Sequence, residues 1–164
     1  MIYFDNKYKN TINIDYIDIA TKVIKKTEEF VECPYDCEVN VLITDNNEIH
    51  LLNKETRNID SPTDVLSFPA IDFEIPASFF SIEDDTFNFN PESGELVLGD
   101  IVISYDKVIE QSIEYNHSQM REFAFLIAHS MLHLFGYDHM NDNERKMMES
   151  EQESILNDLN IRRD

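Results

Sequence analysis

Nine consecutive residues, Leu96-Val-Leu-Gly-Asp-Ile-Val-Ile-Ser104, form a long apolar strand interrupted only at Gly99 and Asp100, and a run of this kind requires a sheet and a core to receive it. The break at Gly99 and Asp100 implies a bend or a functional carboxylate. Two further segments read as strands: Glu38 to Thr44, which alternates and is rich in β-branched residues, and Val65 to Pro69, which ends at proline. Between them lie helical periods. Residues 15–32 carry Ile17, Ala20, Val23, Ile24 and Val31 with lysines interspersed, and Asp45 with Glu48 reads as a capping box opening a short helix to about Asn53. Residues 106–115 also have a helical period, Ser118 caps a helix reaching about Phe135, and Asn141 or Asp142 caps a last helix through Leu159. Strands interspersed with helices predict an α+β (α/β layered) fold. The expectation is one domain over residues 1–164: a small mixed four-stranded sheet packed against about five helices, with a metal site at the end of a central helix.

The size of the chain, 164 residues, suits one hydrophobic core, and a 42% hydrophobic composition with only 3 Gly and 5 Pro excludes a disordered or collagen-like chain. With 33 acidic against 13 basic side chains the formal charge is −20. That argues against a membrane-surface binder and against a protein that holds nucleic acid by bulk charge, so any anionic substrate must be gripped locally. Residues 1–10 contain no apolar signal-like stretch, and the clear apolar run from Phe123 to Ala128 is too short to span a bilayer, so a cytoplasmic protein with no membrane partner is expected. Cys33 and Cys37 have neither redox Cys-x-x-Cys nor zinc-site spacing and read as reduced structural thiols. Residues 72–95 hold seven acids, no base and five scattered phenylalanines, which reads as an acidic surface insertion, a solvated excursion rather than a lid.

The chemistry concentrates in Ala128-His129-Ser-Met-Leu-His133-Leu-Phe-Gly136-Tyr-Asp-His139. His129 and His133 stand four apart on the expected helix, so both imidazoles project from one face on successive turns. Gly136 permits a sharp turn that returns His139 to the same point. Three neutral imidazoles plus a water are the ligand set of a catalytic zinc, whereas a closed structural site needs a fourth protein ligand. Other divalent transition metals suit the same donors. His50 and His117 lack partners in sequence and read as ordinary histidines. The His-x-x-x-His-x-x-Gly-x-x-His spacing is shared with metzincin peptidases, in which a Glu following the first His serves as base. Here that position is Ser130, and a hydroxyl cannot accept the proton in its place.

Taken with Leu52 to Pro69, with Leu98-Gly99-Asp100-Ile101 and with Arg121-Glu122, the histidine segment resembles the YbeY family of bacterial endoribonucleases, in order and register from about residue 38 onward. That family usually carries Gly at the position of Ser130 and a shorter connection than residues 72–95. The resemblance implies a metal-dependent endoribonuclease that prefers single strands, matures ribosomal RNA, notably the 3′ end of the small-subunit rRNA, and takes part in ribosome quality control. It also implies that His129, His133 and His139 bind the metal, generally zinc, and that Arg57 contributes to activity.

An independent reason supports Arg57: a guanidinium is permanently charged and grips a phosphate bidentately, and the next base along the chain after it is Lys107. The expected chemistry is attack on phosphorus by metal-bound water or by the ribose 2′-hydroxyl, with the metal and Arg57 absorbing the developing charge. Asp138 and Asp100 are the candidates for a base or for orienting a ligand imidazole. Asp64, Ser67 and Asn53 read as turn and cap residues that fix Arg57. With a Debye length of about 8 Å, a local patch of Lys22, Lys25, Lys26, Lys54 and Arg57 suffices for a polyanion if folding collects it; Lys54 is the expected helper of Arg57 in binding substrate. Single-stranded RNA is then the expected partner, presented by a ribosomal particle or ribosomal protein that compensates for the acidic charge. Two other classes stay open: a ribosome-assembly binding factor with a structural metal, and a different metal hydrolase such as a peptidase.

Overall fold

A computed structural model describes residues 1–80 and 82–162. Four strands and five helices follow along the described chain in the order β1 (Ile2–Asn6), α1 (Tyr16–Phe30), β2 (Cys37–Thr44), α2 (Asn46–Arg57), β3 (Val65–Pro69), β4 (Leu96–Ser104), α3 (Tyr105–Glu114), α4 (Gln119–Leu134) and α5 (Asp142–Asp158). The sheet order is β1-β2-β4-β3, with β1, β2 and β4 parallel and β3 antiparallel to β4. This is the expected mixed four-stranded sheet with five helices in a single domain. The strand that pattern reading did not locate is β1, five residues long, in which Ile2 and Phe4 turn toward the core and Tyr3 and Asp5 toward solvent, an alternation too short to stand out in the sequence.

Strand alternation sorts the packing onto two faces. Val39, Val41 and Ile43 of β2 and Leu96, Leu98, Ile101 and Ile103 of β4 join α1 and α4 in the main core. On the reverse face Leu42, Leu66, Phe68 and Val102 pack against Ile49 and Leu52 of α2. The central helix is α4, with Phe123, Ala124, Ile127, Ala128, Met131 and Leu132 fully buried. The capping predictions at Asp45, Ser118 and Asn141 correspond to observed caps: each side chain accepts the backbone N–H three residues on. Glu48 instead accepts from the Thr44 hydroxyl at 2.6 Å. Helix α2 runs four residues past its expected end because Asn58 supplies a left-handed C-cap, φ 57°, which puts Arg57 on the last helical turn.

Of the two readings of the break in β4, the bend holds, and one other expectation is corrected. The break is a bulge: pairing with β2 shifts between Glu38 and Val39, and Gly99 (φ +137°) lies where a Cβ would stand 2.2 Å from the Phe68 carbonyl oxygen. The 72–95 segment is also more than a solvated excursion. Phe73 and Ile82 are buried, and Phe79 and Phe89 pack on the main core around Tyr35 and Phe135, while Phe80 and Phe87 stay exposed. Among the described residues no helix is long and apolar enough to cross a membrane.

Candidate metal centre

Helix α4 places His129 and His133 one turn apart, and the chain reverses at Gly136 to bring His139 against them. Gly136 has φ +94°, and a Cβ there would stand 2.6 Å from Cβ of Phe73, so both the turn and the packing beneath it require glycine. One ligand atom from each of the three histidines lies within 4.8 Å of the others, and Nε2 of His129 and Nε2 of His133 are 3.1 Å apart. Two nitrogens each ~2.0–2.1 Å from one tetrahedral ion stand ~3.3 Å apart, so the donor set fits a single metal.

The protonation states fit as well. Nδ1 of His133 donates to the Tyr137 carbonyl at 2.9 Å, which leaves Nε2 as the free lone pair facing His129. Burial, followed by the neighbouring His133 charge, pushes the His129 pKa down to about 4, and burial also lowers that of His133. Both rings are therefore neutral, ligand-competent imidazoles near pH 7. Gln152 of α5, almost fully buried, acts to raise the His129 pKa by less than burial lowers it, and its own amide nitrogen has no hydrogen-bond partner among the described residues. Spacing could not reveal Gln152, because it lies on a separate helix 23 positions along the chain.

The three histidines line a cavity of about 1360 Å³ together with Arg57, Asp64, Ser67 and Asp138. Arg57 is exposed and makes no ion pair among the described residues, and its charge acts on His133. Asp138 accepts the backbone N–H of His139 at 2.8 Å. Other expected participants lie elsewhere. Asp100 shares the α2 face of the sheet with Val102 and accepts from Asn40 at 2.8 Å, so it points away from the histidines. Lys54 lies outside the cavity wall. Lys22 and Lys26 pair with Asp18 and Glu29 on α1, across the sheet from α2, so the lysine patch is not assembled.

Nor do Asp64, Ser67 and Asn53 bond to Arg57. Asp64 accepts from the Val65 backbone and from Gln111, Ser67 pairs with Ser130, and Asn53 donates to the Ser61 carbonyl, tying down the loop that follows α2. His50 meets Asp60 at the surface, and His117 pairs with Glu122 in the interior.

The family described as Endoribonuclease YbeY matches residues 3–160. The chain belongs to the YbeY family. Among curated YbeY relatives, Endoribonuclease YbeY of Agathobacter rectalis is 51% identical over 98% of both chains. That of Lachnoclostridium phytofermentans is 49% identical over 93% of this chain and 94% of its own, and that of Thermoanaerobacter pseudethanolicus 46% identical over 99% of both. A solution structure of a Thermotoga maritima protein superposes with a TM-score of 0.56 at 25% identity, covering 98% of this chain and 92% of that one.

Proposed function

We propose that the protein is a metal-dependent endoribonuclease that cuts single-stranded RNA, acts in maturation of the small-subunit rRNA 3′ end and takes part in ribosome quality control. The observation that carries this reading is the convergence of three imidazoles beside an exposed arginine without an ion pair among the described residues, in one open cavity of a member of the YbeY family. His129, His133 and His139 would hold one zinc ion, which when bound supplies Lewis acidity and lowers the pKa of a coordinated water to about 7. Exposure of His139 on the cavity wall favours an open catalytic site over a closed structural one.

Arg57 grips the non-bridging phosphate oxygens and stabilises the charge that develops on them. Its position at the C-terminus of α2, held by the Asn53 to Ser61 bond, keeps the guanidinium on a rigid element. Asp138 is the carboxylate of the expected pair that lines the cavity. The net charge of −20 and the unassembled lysine patch argue for weak affinity toward free RNA, so a ribosomal particle or ribosomal protein presents the strand.

The test is cleavage of an end-labelled single-stranded RNA at low salt by metal-replete protein, beside an equally purified His133→Ala protein and with precursor ribosomal particles in a parallel arm. Cuts that vanish in the variant support the reading. Equal background from both proteins in both arms overturns it.

A further inference from the structure

A second cavity, about 540 Å³, opens next to the first, and Asp64 lines both. Helix α4 runs beneath them. Glu122, Phe125, His129 and His133 follow one another at helical spacing along α4, the first two lining the second cavity and the last two the metal cavity, and the two cavities meet at Asp64. The levels of His129 and Arg121 differ by eight residues, about 12 Å along the helix. A single strand covers that distance in a few nucleotides.

The floor of this cavity is a fixed hydrogen-bond chain. Gln111 donates to Glu122 at 2.7 Å and to Asp64 at 3.3 Å, and the second oxygen of Glu122 meets Nε2 of His117. The His117 and Glu122 side chains are only 6% and 3% exposed. Two buried nitrogens bordering the cavity, Nδ1 of His117 and Nε of Arg121, have no partner among the described residues. Both atoms are closed off from solvent, so they fix the floor rigidly beneath the cavity and do not themselves face a ligand.

The walls decide the ligand class. Acids outnumber bases, and the Arg121 guanidinium is already committed to Glu153 and to the Ile161 carbonyl, so a phosphate is poorly received. Phe125 is half-buried with Arg121 5.7 Å from its ring centroid, and Tyr115 is 50% exposed at the rim. Aromatic faces beside fixed carboxylates suit a flat heterocycle that donates hydrogen bonds from its edge. Lys146, exposed on α5 and without an ion pair among the described residues, lines the same cavity and is a cation free to meet a backbone phosphate.

We propose that this second cavity is a nucleobase subsite that takes a base of the same RNA strand whose scissile phosphodiester lies at the histidines, stacking it on Tyr115 and Phe125 and selecting bases that carry an exocyclic amino group. This assignment rests on the nuclease reading above for the identity of the strand. Carboxylates accept from the amino groups of cytosine, adenine and guanine, whereas uracil offers only its ring N–H.

Backbone amide shifts of the metal-loaded protein, titrated with cytidine, adenosine and uridine, test it. Nucleosides contain no phosphodiester, so binding is read independently of cleavage. Cytidine and adenosine should shift residues 112–118 and 146–150, with uridine weaker by at least about fivefold, a difference of one hydrogen bond. Tyr115→Ala, at an exposed position, should weaken cytidine by about 5- to 100-fold, and Glu149→Gln, which neutralises the exposed carboxylate on the α5 side of the cavity, should narrow the gap between cytidine and uridine. Absence of shifts in these segments, equal response to uridine, or indifference to Tyr115→Ala overturns the subsite. Nucleoside binding without any RNA cleavage would instead leave the subsite standing and sink the nuclease reading.

Discussion

The hydroxyl oxygens of Ser67 and Ser130 lie 2.6 Å apart, joining edge strand β3 to the middle of α4 at the residue directly after His129. Ser130 is fully buried and depends on Ser67 for a partner, whereas Ser67 is half-buried on the cavity wall, where water can take the place of Ser130. Ser67→Ala should therefore cost about 1–2 kcal/mol of stability, because it strands the buried hydroxyl, and Ser130→Ala about 0.5–1 kcal/mol. The double variant should lose less than the sum of the two by at least about 0.5 kcal/mol. Urea unfolding of the four proteins measures this coupling, and strict additivity would mean that the contact carries no energy.

Arg57 separates catalysis from stability. It is exposed and unpaired among the described residues, so Arg57→Ala should leave the urea midpoint unchanged while lowering RNA cleavage by about 10²-fold or more, the scale of losing one charge-stabilising donor. Arg57→Lys should recover only part of the rate, since a point charge cannot reproduce a bidentate grip. Full activity in Arg57→Ala would remove Arg57 from the reaction.

Much of this site was legible in the chain because its ligands are local. His129, His133 and His139 fall within eleven positions, and helix periodicity plus one glycine suffices to converge them. Long-range partners were not legible. Gln152 and Phe73 reach the site from α5 and from the 72–95 segment, and no periodicity announces either. Asp100 misled because the Gly99-Asp100 break has a purely local cause, a bulge, and strand alternation then turns the carboxylate to the α2 face. The lysine patch failed for a related reason: the sheet lies between α1 and α2, so cations that composition suggests could be collected are held apart. Strand β1 escaped because its alternation spans only Ile2 to Asp5 at the sheet edge, too few residues to register as a pattern.

Gly136 and Phe73 form the support under His139. Gly136→Ala meets both a left-handed φ and a Cβ position 2.6 Å from Cβ of Phe73, so it should cost about 2 kcal/mol or more and weaken metal binding by displacing His139. Phe73→Gly removes the obstructing Cβ together with a buried ring, at about 3–5 kcal/mol or more. In the Phe73→Gly background the further cost of Gly136→Ala should shrink to the backbone part alone, about 1 kcal/mol. Calorimetry with zinc and urea unfolding test this; an undiminished Gly136→Ala cost in that background would show that Phe73 is not what Gly136 accommodates.

The metal-free protein should show two opposed pH dependences. Burial holds the His129 pKa at about 4, below its ordinary 6.5, so the unfolded chain binds the extra proton first. That stability is complete above pH ~6.5 and is lost as pH falls toward 4. Glu28 behaves in the opposite sense: burial raises its pKa from 4.5 to about 7, so its contribution is complete below ~4.5 and is lost as pH rises through 7. Between these limits the two slopes work against each other and flatten the profile. Glu28→Gln removes the second, so the variant should match the parent near pH 4.5 and exceed it by about 1–2 kcal/mol at pH 8, allowing for partial solvent exposure. Urea unfolding at pH 4.5, 6 and 8 reads the divergence. A gain of equal size at all three values would come from packing rather than from the Glu28 charge, and the burial of that charge would then have no energetic consequence.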